Sequence, residues 1–376
     1  MDFDFTDEQI LLAETVQRFV REHYSFAARR AILDSPAGWS REMWQRLAAL
    51  GLTALNVPER HGGLGGGPVE TMLAMGALGA GLVLEPYLAG AVLAPALLAH
   101  VGDAAAAELL PDIASGERIV VLAHQEPHVR GELSHVAVRA QARGDTYVLD
   151  GRKSVVAHGG AADVLLISAR TAGSLRDEAG ISLFRLDPRT AGVTCRTYRT
   201  LDGQHAADIE LEQVTVPAGQ LIGPAGAAFR PIEAAHEIAL SALCAEAVGI
   251  MEAMNAATLE YTKNRRQFGQ PIARFQVLQH RMVDMFMHAE QAKSMSYLAA
   301  IKCVDPDARE RRRVLSAAKV TIGRAARDVG QQAIQLHGGM GMTDDLVVSH
   351  YFKRLTAIEL TWGDTDFHLQ RFIAVS

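Results

Sequence analysis

The sequence predicts an α+β fold that is mostly α, with a helical N-terminal domain, a middle antiparallel β-domain and a C-terminal four-helix bundle. Three observations carry this. Apolar residues recur at helical spacing from residue 1 to 118. Short apolar runs with turn residues between them fill 119–225. Long helical stretches with narrow apolar stripes occupy 226–376. A chain of 376 residues is long enough for two or three such domains.

In the first domain, Thr6 and Gln9 have the spacing of a capping box. Behind them Leu12, Val16, Phe19 and Val20 share one helix face. His61-Gly62-Gly63-Leu64-Gly65-Gly66-Gly67-Pro68 is a loop. It reads as a tight turn between helices, with a phosphate cradle as the alternative. The apolar run Met72–Ala99 is interrupted by Glu85-Pro86 and by glycines, which predicts buried helices and no membrane span.

The pattern changes at Ile119-Val120-Val121-Leu122. Tyr147-Val148-Leu149, Asp150-Gly151 and Ser154-Val155-Val156 read as a hairpin with a primed turn. Val164–Ile167, Ile181–Phe184 and Ile209–Leu211 continue the strand signal. In the third domain Leu278, Met282, Met285 and Ala289 form one stripe. Ile322, Ala326, Val329, Ala333 and Leu336 form another, as packed bundle helices require.

Composition narrows the function. The chain is 49% hydrophobic and 21% charged, as globular proteins with large cores are. A net charge of −6 argues against nucleic acid as the main partner. Cys195, Cys244 and Cys303 are too scattered for a disulfide framework or a zinc site, and they predict a cytoplasmic location. The opening Met1-Asp2-Phe3-Asp4-Phe5 is acidic, unlike a secretory signal.

Chemistry concentrates in two motifs. Arg265-Arg266-Gln267-Phe268-Gly269, with Gln276, offers a guanidinium, amides and an aromatic face. Gln335-Leu336-His337-Gly338-Gly339-Met340-Gly341 offers an amide and bare backbone. A flavin dinucleotide needs charge and N–H donors for its pyrophosphate and apolar surface for its rings. The glycines follow a helix, so they are not the strand-turn-helix dinucleotide fingerprint. They end the helix and let a phosphate approach the backbone.

The α–β–α order, "NRRQFGQPIARFQVLQHRMVDM", "AIQLHGGMGMT" and "FTDEQILLAETVQRFV" resemble the acyl-CoA dehydrogenase family over essentially the whole chain. "GWSREMWQRLAALGL", "GGGPVETM", "LCAEAVGIMEA" and "HYFKRLTAIELTWGDTDFHLQRF" look most like the small subunit of pimeloyl-CoA-type dehydrogenases. Those are similar to paired-subunit enzymes acting on dicarboxylyl- or steroid side-chain CoA thioesters.

The resemblance implies FAD and oxidation of an acyl-CoA to the trans-2-enoyl-CoA. It implies that Arg265, Gln267, Phe268 and Gln276 contact the FAD of a neighbouring subunit, with Gln335 and Gly339 at the pyrophosphate. It also implies acyl-CoA as substrate and an electron-transferring flavoprotein as electron acceptor.

Other positions depart from the family. Where the family reads A-L-T-E-P, this chain has Gln125 in place of the threonine. Where the family reads W-I-T-N-G, this chain reads Val155-Val156-Ala157-His158-Gly159, without the stacking ring or the hydroxyl. The family's catalytic glutamate aligns with Asp364, whose reach is about 1.3–1.5 Å shorter. A second alignment places Thr361 there, and the minority location of the base holds Ala239, with Glu237 nearby. Asp364 reads equally as the base and as a helix cap. Asp366 and His368 read as part of a solvated turn, and His337 reads as a packed helix-end residue or a cofactor contact.

Two functions follow. In one, the chain is the non-catalytic small subunit that lends contacts to the FAD of a larger paralogous acyl-CoA dehydrogenase subunit, two of each forming a heterotetramer. In the other, it is a self-sufficient homo-oligomeric dehydrogenase with Asp364 as base. A flavin oxidase or monooxygenase of the same fold is a distant third. The acyl group (dicarboxylyl, steroid side chain or straight chain) is open.

Overall fold

The computed structural model describes residues 4–129 and 131–375 and, of Ala105, the backbone alone. Of the acidic opening segment, Met1, Asp2 and Phe3 lie outside the described residues. The chain begins with α1 (Asp7–His23), α2 (Phe26–Leu33), α3 (Arg41–Ala49) and α4 (Pro68–Ala80). A π-helical segment, Tyr87–Leu93, leads into α5 (Ala94–Val101) and α6 (Ala104–Ala114). Then come β1 (Val120–Ala123), β2 (Arg139–Arg143), β3 (Thr146–Ala157), β4 (Val164–Arg170), β5 (Ile181–Leu186), β6 (Val193–Arg199), β7 (His205–Pro217) and β8 (Leu221–Ile222). Helix α7 (Phe229–Asn264) is followed by the short strands β9 (Arg266–Gln267) and β10 (Gln270–Pro271). The chain closes with α8 (Gln276–Lys302), α9 (Ala308–His337), α10 (Val347–Leu360) and α11 (Thr365–Val375).

Contacts divide the chain into two compact units. The first gathers the chain up to Ile32, Pro68–Val83 and the chain from Leu240 on. Here α1 starts at the expected capping box: Gln9 N–H donates to Thr6 Oγ1 at 3.3 Å, and Thr6 N–H donates to Gln9 Oε1 at 3.1 Å. Val16 and Phe19 are its buried residues. Helix α9 packs against α8, α10 and α11 through its whole predicted stripe, Ile322 to Leu336. Met285 and Ala289 are the buried part of the α8 stripe, while Leu278 and Met282 are half-buried. Among the described residues α7 is the one helix long and apolar enough to cross a membrane, yet 89% of that stretch is buried inside the protein. The Met72–Ala99 run is broken into α4, the π-helical segment and α5, as its interruptions predict.

The second unit gathers Leu33–Gly67 and Leu84–Ala239. Its sheet runs β6-β7-β3-β2-β4-β5-β8, with β1 attached to β4. The strand pairings are antiparallel except β1 with β4 and the single pair Arg139–Arg170 between β2 and β4. The hairpin expected at Asp150-Gly151 is not there. Strand β3 runs straight through, and Asp150 stands opposite a bulge of β7 at Glu212-Gln213, where Gln213 has φ +49° and its Nε2 donates to Asp150 Oδ2 at 2.8 Å. The hairpin instead joins β2 to β3 at Gly144-Asp145, with Arg143 opposite Thr146. Asp150-Gly151 stays in the strand because β7 pairs with β3 on both sides of it, Leu149 with Val214 and Gly151 with Leu211.

The glycine loop is a packed turn and not a phosphate cradle. The N–H groups of Leu64, Gly65 and Gly66 already donate to the carbonyls of Ala54, Val57 and Leu55 at 2.7–2.9 Å. A Cβ on Gly63 would lie 1.9 Å from Val57 O, so glycine is there for close packing.

Candidate functional site

Arg265 follows the last turn of α7 and leads into the β9–β10 hairpin. Phe268 and Gly269 form its two-residue turn, with φ of +53° and +78°. Positive φ at both central positions defines the primed turn that favours Asn-Gly. A phenylalanine there bears about 1–2 kcal/mol of left-handed strain. Phe268 is 91% exposed, and among the described residues its ring pairs with Phe275, at 6.1 Å between centroids, so little packing offsets that strain. Arg265 is exposed as well, and its guanidinium makes no ion pair among the described residues. Gln267 Nε2 donates to Arg266 O at 2.8 Å. Gln276, the first residue of α8, is exposed.

The second motif ends α9. Gln335 is exposed, and Gly338 caps the helix at φ 60°, ψ −142°, a conformation suited to glycine. A Cβ on Gly339 would meet nothing within 4 Å, so its backbone is open to an approaching group. His337 is buried between these positions. Its Nδ1–H donates to Ala333 O at 2.8 Å, and burial lowers its pKa. Its ring stacks on Tyr261 at 4.2 Å, and Tyr261 Oη–H donates to His337 O at 3.3 Å. His337 therefore has the environment of a packed helix-end residue. Beside Gln335 a cleft of about 240 Å³ opens, lined by Val277, Leu278, Arg281, Gln335 and Leu336.

The C-terminal acid is engaged elsewhere. Asp364 caps α11: its Oδ1 accepts from Phe367 N–H at 2.9 Å, and its carbonyl accepts from His368 N–H at 3.1 Å. The turn before it, Thr361-Trp362-Gly363, carries positive φ at Trp362 (58°) and Gly363 (106°). Lys319 holds that turn from beneath. Its buried Nζ donates to the carbonyls of Glu359, Thr361 and Gly363 at 2.9, 3.0 and 2.9 Å. Burial lowers the Lys319 pKa, and three acceptors satisfy its three N–H groups. Thr361 Oγ1 is spent on Ala357 O at 2.7 Å.

His368 does not lie in a solvated turn. It is fully buried, its Nε2–H donates to Trp362 O at 3.2 Å, and burial together with Lys319 and Arg371 pushes its pKa down to about 3. The turn wraps over the Lys319 ammonium, and that places the imidazole inside. Asp366 is exposed. Ala239 and Glu237 are both fully buried within α7.

In the sheet unit, Val155 is the residue that the sequence resemblance sets against the family's stacking tryptophan. It is a β-branched residue at φ +51° in a bulge of β3, and it is 48% exposed. Asp208 braces the bulge by accepting from Val155 N–H at 3.2 Å and from Tyr198 Oη–H at 3.1 Å, and it pairs with Arg152. Ala157 is exposed without a hydroxyl to offer. His158 is buried at φ +54°, its N–H donating to His205 O at 2.8 Å. Gln125 O accepts from Ser154 N–H at 2.9 Å.

Behind these positions lies a charged network that the sequence reading missed. The Lys153 ammonium, fully buried, donates to Glu126 Oε1 at 2.7 Å, Ser168 Oγ at 3.0 Å and His124 O at 3.2 Å. Burial lowers the Lys153 pKa to about 8. Burial and the Lys153 charge push His124 down to about 3. Lys319 was missed too. The signal for it was a lysine three residues before Ile322, on the apolar stripe of α9.

Three family descriptions match the chain: "Acyl-CoA dehydrogenase, N-terminal domain" over residues 6–117, "middle domain" over 122–214 and "C-terminal domain" over 237–375. The fold and both motifs thus define a flavoprotein dehydrogenase class. The chain belongs to the acyl-CoA dehydrogenase family, whose members hold FAD and dehydrogenate acyl-CoA thioesters.

It is 28% identical to a probable acyl-CoA dehydrogenase, YngJ, of Bacillus subtilis, over 99% of this chain and 98% of that protein. Its fold is similar to butyryl-CoA dehydrogenase from Megasphaera elsdenii, with a TM-score of 0.90 and 25% identity over 100% of this chain and 99% of the other. It is also similar to a chain of the ChsE4–ChsE5 complex from Mycobacterium tuberculosis, with a TM-score of 0.87 and 26% identity over 100% and 98%.

The residues present fit one half of FAD better than the other. The open Gly338-Gly339 backbone suits a pyrophosphate, as does Arg265, which has no ion pair among the described residues. At Val155 and Ala157 there is neither a ring to stack on a flavin nor a hydroxyl to bond it.

Proposed function

We propose that this chain is the cofactor-lending subunit of a heteromeric acyl-CoA dehydrogenase. It would work beside a larger paralogous subunit in the cytoplasm and pass electrons to an electron-transferring flavoprotein. The division into 1–118, 119–225 and 226–376 belongs to the same reading. When bound, FAD would supply the hydride acceptor for oxidation of the acyl-CoA to the 2-enoyl-CoA, with the α-proton going to a carboxylate of the larger subunit. This chain's own residues bind and orient. Arg265 supplies charge to the pyrophosphate, and Gln267, Gln276 and Gln335 supply amide groups. Phe268 presents its ring on a stiff turn, and Gly339 gives bare backbone.

The observation that carries the reading is the contrast in employment. The Arg265–Phe268 tip is exposed and Arg265 has no ion pair among the described residues, while the Asp364 carboxylate is occupied as the cap of α11. A base must reach the substrate's α-proton, and a carboxylate anchored on Phe367 N–H faces its own helix. A further support is that a similar solved structure is a complex of two differently named chains.

The test is flavin content and anaerobic bleaching by acyl-CoA, for the chain purified alone and co-purified with a larger acyl-CoA dehydrogenase subunit. A colourless chain that acquires flavin and turnover only with its partner supports the proposal. A yellow homomer that acyl-CoA bleaches overturns it and makes Asp364 the base to pursue.

A further inference from the structure

The cleft beside Gln335 contains a residue that neither motif includes. Val277 and Arg281 are four apart on α8, and Gln332 and Gln335 are three apart on α9, so each pair shares a helix face. Val277, Leu278 and Leu336 give the cleft apolar walls, while Gln335 and Arg281 give it polar ones. Arg281 is half-buried, and its Nη1 donates to Gln332 Oε1 at 3.1 Å. That bond fixes the guanidinium against α9 without neutralising it. Asp284, one turn further along α8, makes no ion pair with it, and neither does any other carboxylate among the described residues. A permanently charged, pre-oriented fork in a partly apolar cleft is suited to a phosphate oxygen.

We infer that Arg281 is a further contact for the dinucleotide, taking the phosphate on the adenosine side while Val277, Leu278 and Leu336 face the adenosine. This rests on the cofactor-lending reading and extends it to a residue that selects FAD over FMN. Gln332 acts through Arg281 and is a positioning residue.

The experiment uses the flavin-stripped complex of this chain with its larger partner. The dissociation constants for FAD, FMN and ADP are measured by flavin fluorescence and calorimetry. The proteins compared are wild type and the variants Arg281→Met, Arg281→Lys and Arg265→Met in this chain. Loss of one charge-assisted contact should weaken FAD and ADP by about ten- to hundredfold and leave FMN unchanged. Arg281→Lys, which keeps the charge, should recover part of that loss. Equal weakening of FAD and FMN by Arg281→Met would show an effect through the fold and overturn the inference. Unchanged FAD affinity in Arg281→Met, with weakening in Arg265→Met, would overturn the Arg281 contact and leave the lending role intact. A wild-type complex whose FAD affinity responds to neither residue would overturn both.

Discussion

Tyr261 lies stacked on His337, 4.2 Å between ring centroids, and its hydroxyl donates to the His337 carbonyl. One residue is four positions before Arg265 and the other immediately before Gly338. This contact ties together two motifs some seventy residues apart.

Tyr261→Ala removes the stack and the hydrogen bond together. It should cost about 1–2 kcal/mol, and it should weaken FAD retention by the complex because two anchors of the site lose their common reference. Tyr261→Phe keeps the ring and should retain most of both. Urea unfolding and flavin release on the same samples separate the effects; full flavin retention in Tyr261→Ala would show that the contact serves stability alone.

Phe268→Asn gives a primed turn its favoured residue and removes left-handed strain. The isolated chain should therefore be stabilised, by up to about 1 kcal/mol. The complex should hold FAD less tightly, since the exposed ring is gone. A variant that is more stable and keeps its flavin affinity would deny the ring a ligand role.

Asp364 divides the two functional readings through two substitutions. Asp364→Asn preserves a cap on α11 and should leave turnover of the complex close to wild type. Asp364→Ala should cost about 1 kcal/mol of stability. Loss of turnover in a well-folded Asp364→Asn complex would identify a base.

The buried histidines predict acid sensitivity. His124 and His368 have folded pKa values of about 3, lowered from 6.5. Between pH 6.5 and 3 the unfolded chain binds protons that the folded chain does not. Stability from these groups is thus present above pH 6.5 and lost as pH falls toward 3. Each contributes a slope of at most about 1.4 kcal/mol per pH unit. Denaturant titrations at pH 7, 6 and 5 measure it, and His124→Gln should flatten the curve; an unchanged slope would mean that His124 titrates normally.

Sequence pattern anticipated what local chemistry decides. The Thr6–Gln9 box and the Ile322–Leu336 stripe needed no knowledge of distant partners. Asp150-Gly151 misled because the pair has the residues of a turn, and its pairing with β7, distant in sequence, keeps it in the strand. Lys153 and Lys319 were not singled out from the sequence, since a buried ammonium is costly until its acceptors are assembled. Those acceptors are mainly backbone carbonyls for Lys319, and a carboxylate, a hydroxyl and a carbonyl for Lys153, gathered from separate segments. The exposure of Arg265 and Phe268 was likewise invisible in composition, whereas the cap formed by Asp364 was one of the two readings its position offered.

The Phe268 tip has a further bearing on how such a protein must be made. On the cofactor-lending reading the Phe268 ring, 91% exposed in the chain by itself, is covered only in the assembled enzyme. Copies made in excess of the larger subunit would then keep that strained turn without its ligand, so matched production of the two polypeptides would decide how much of this chain is put to use.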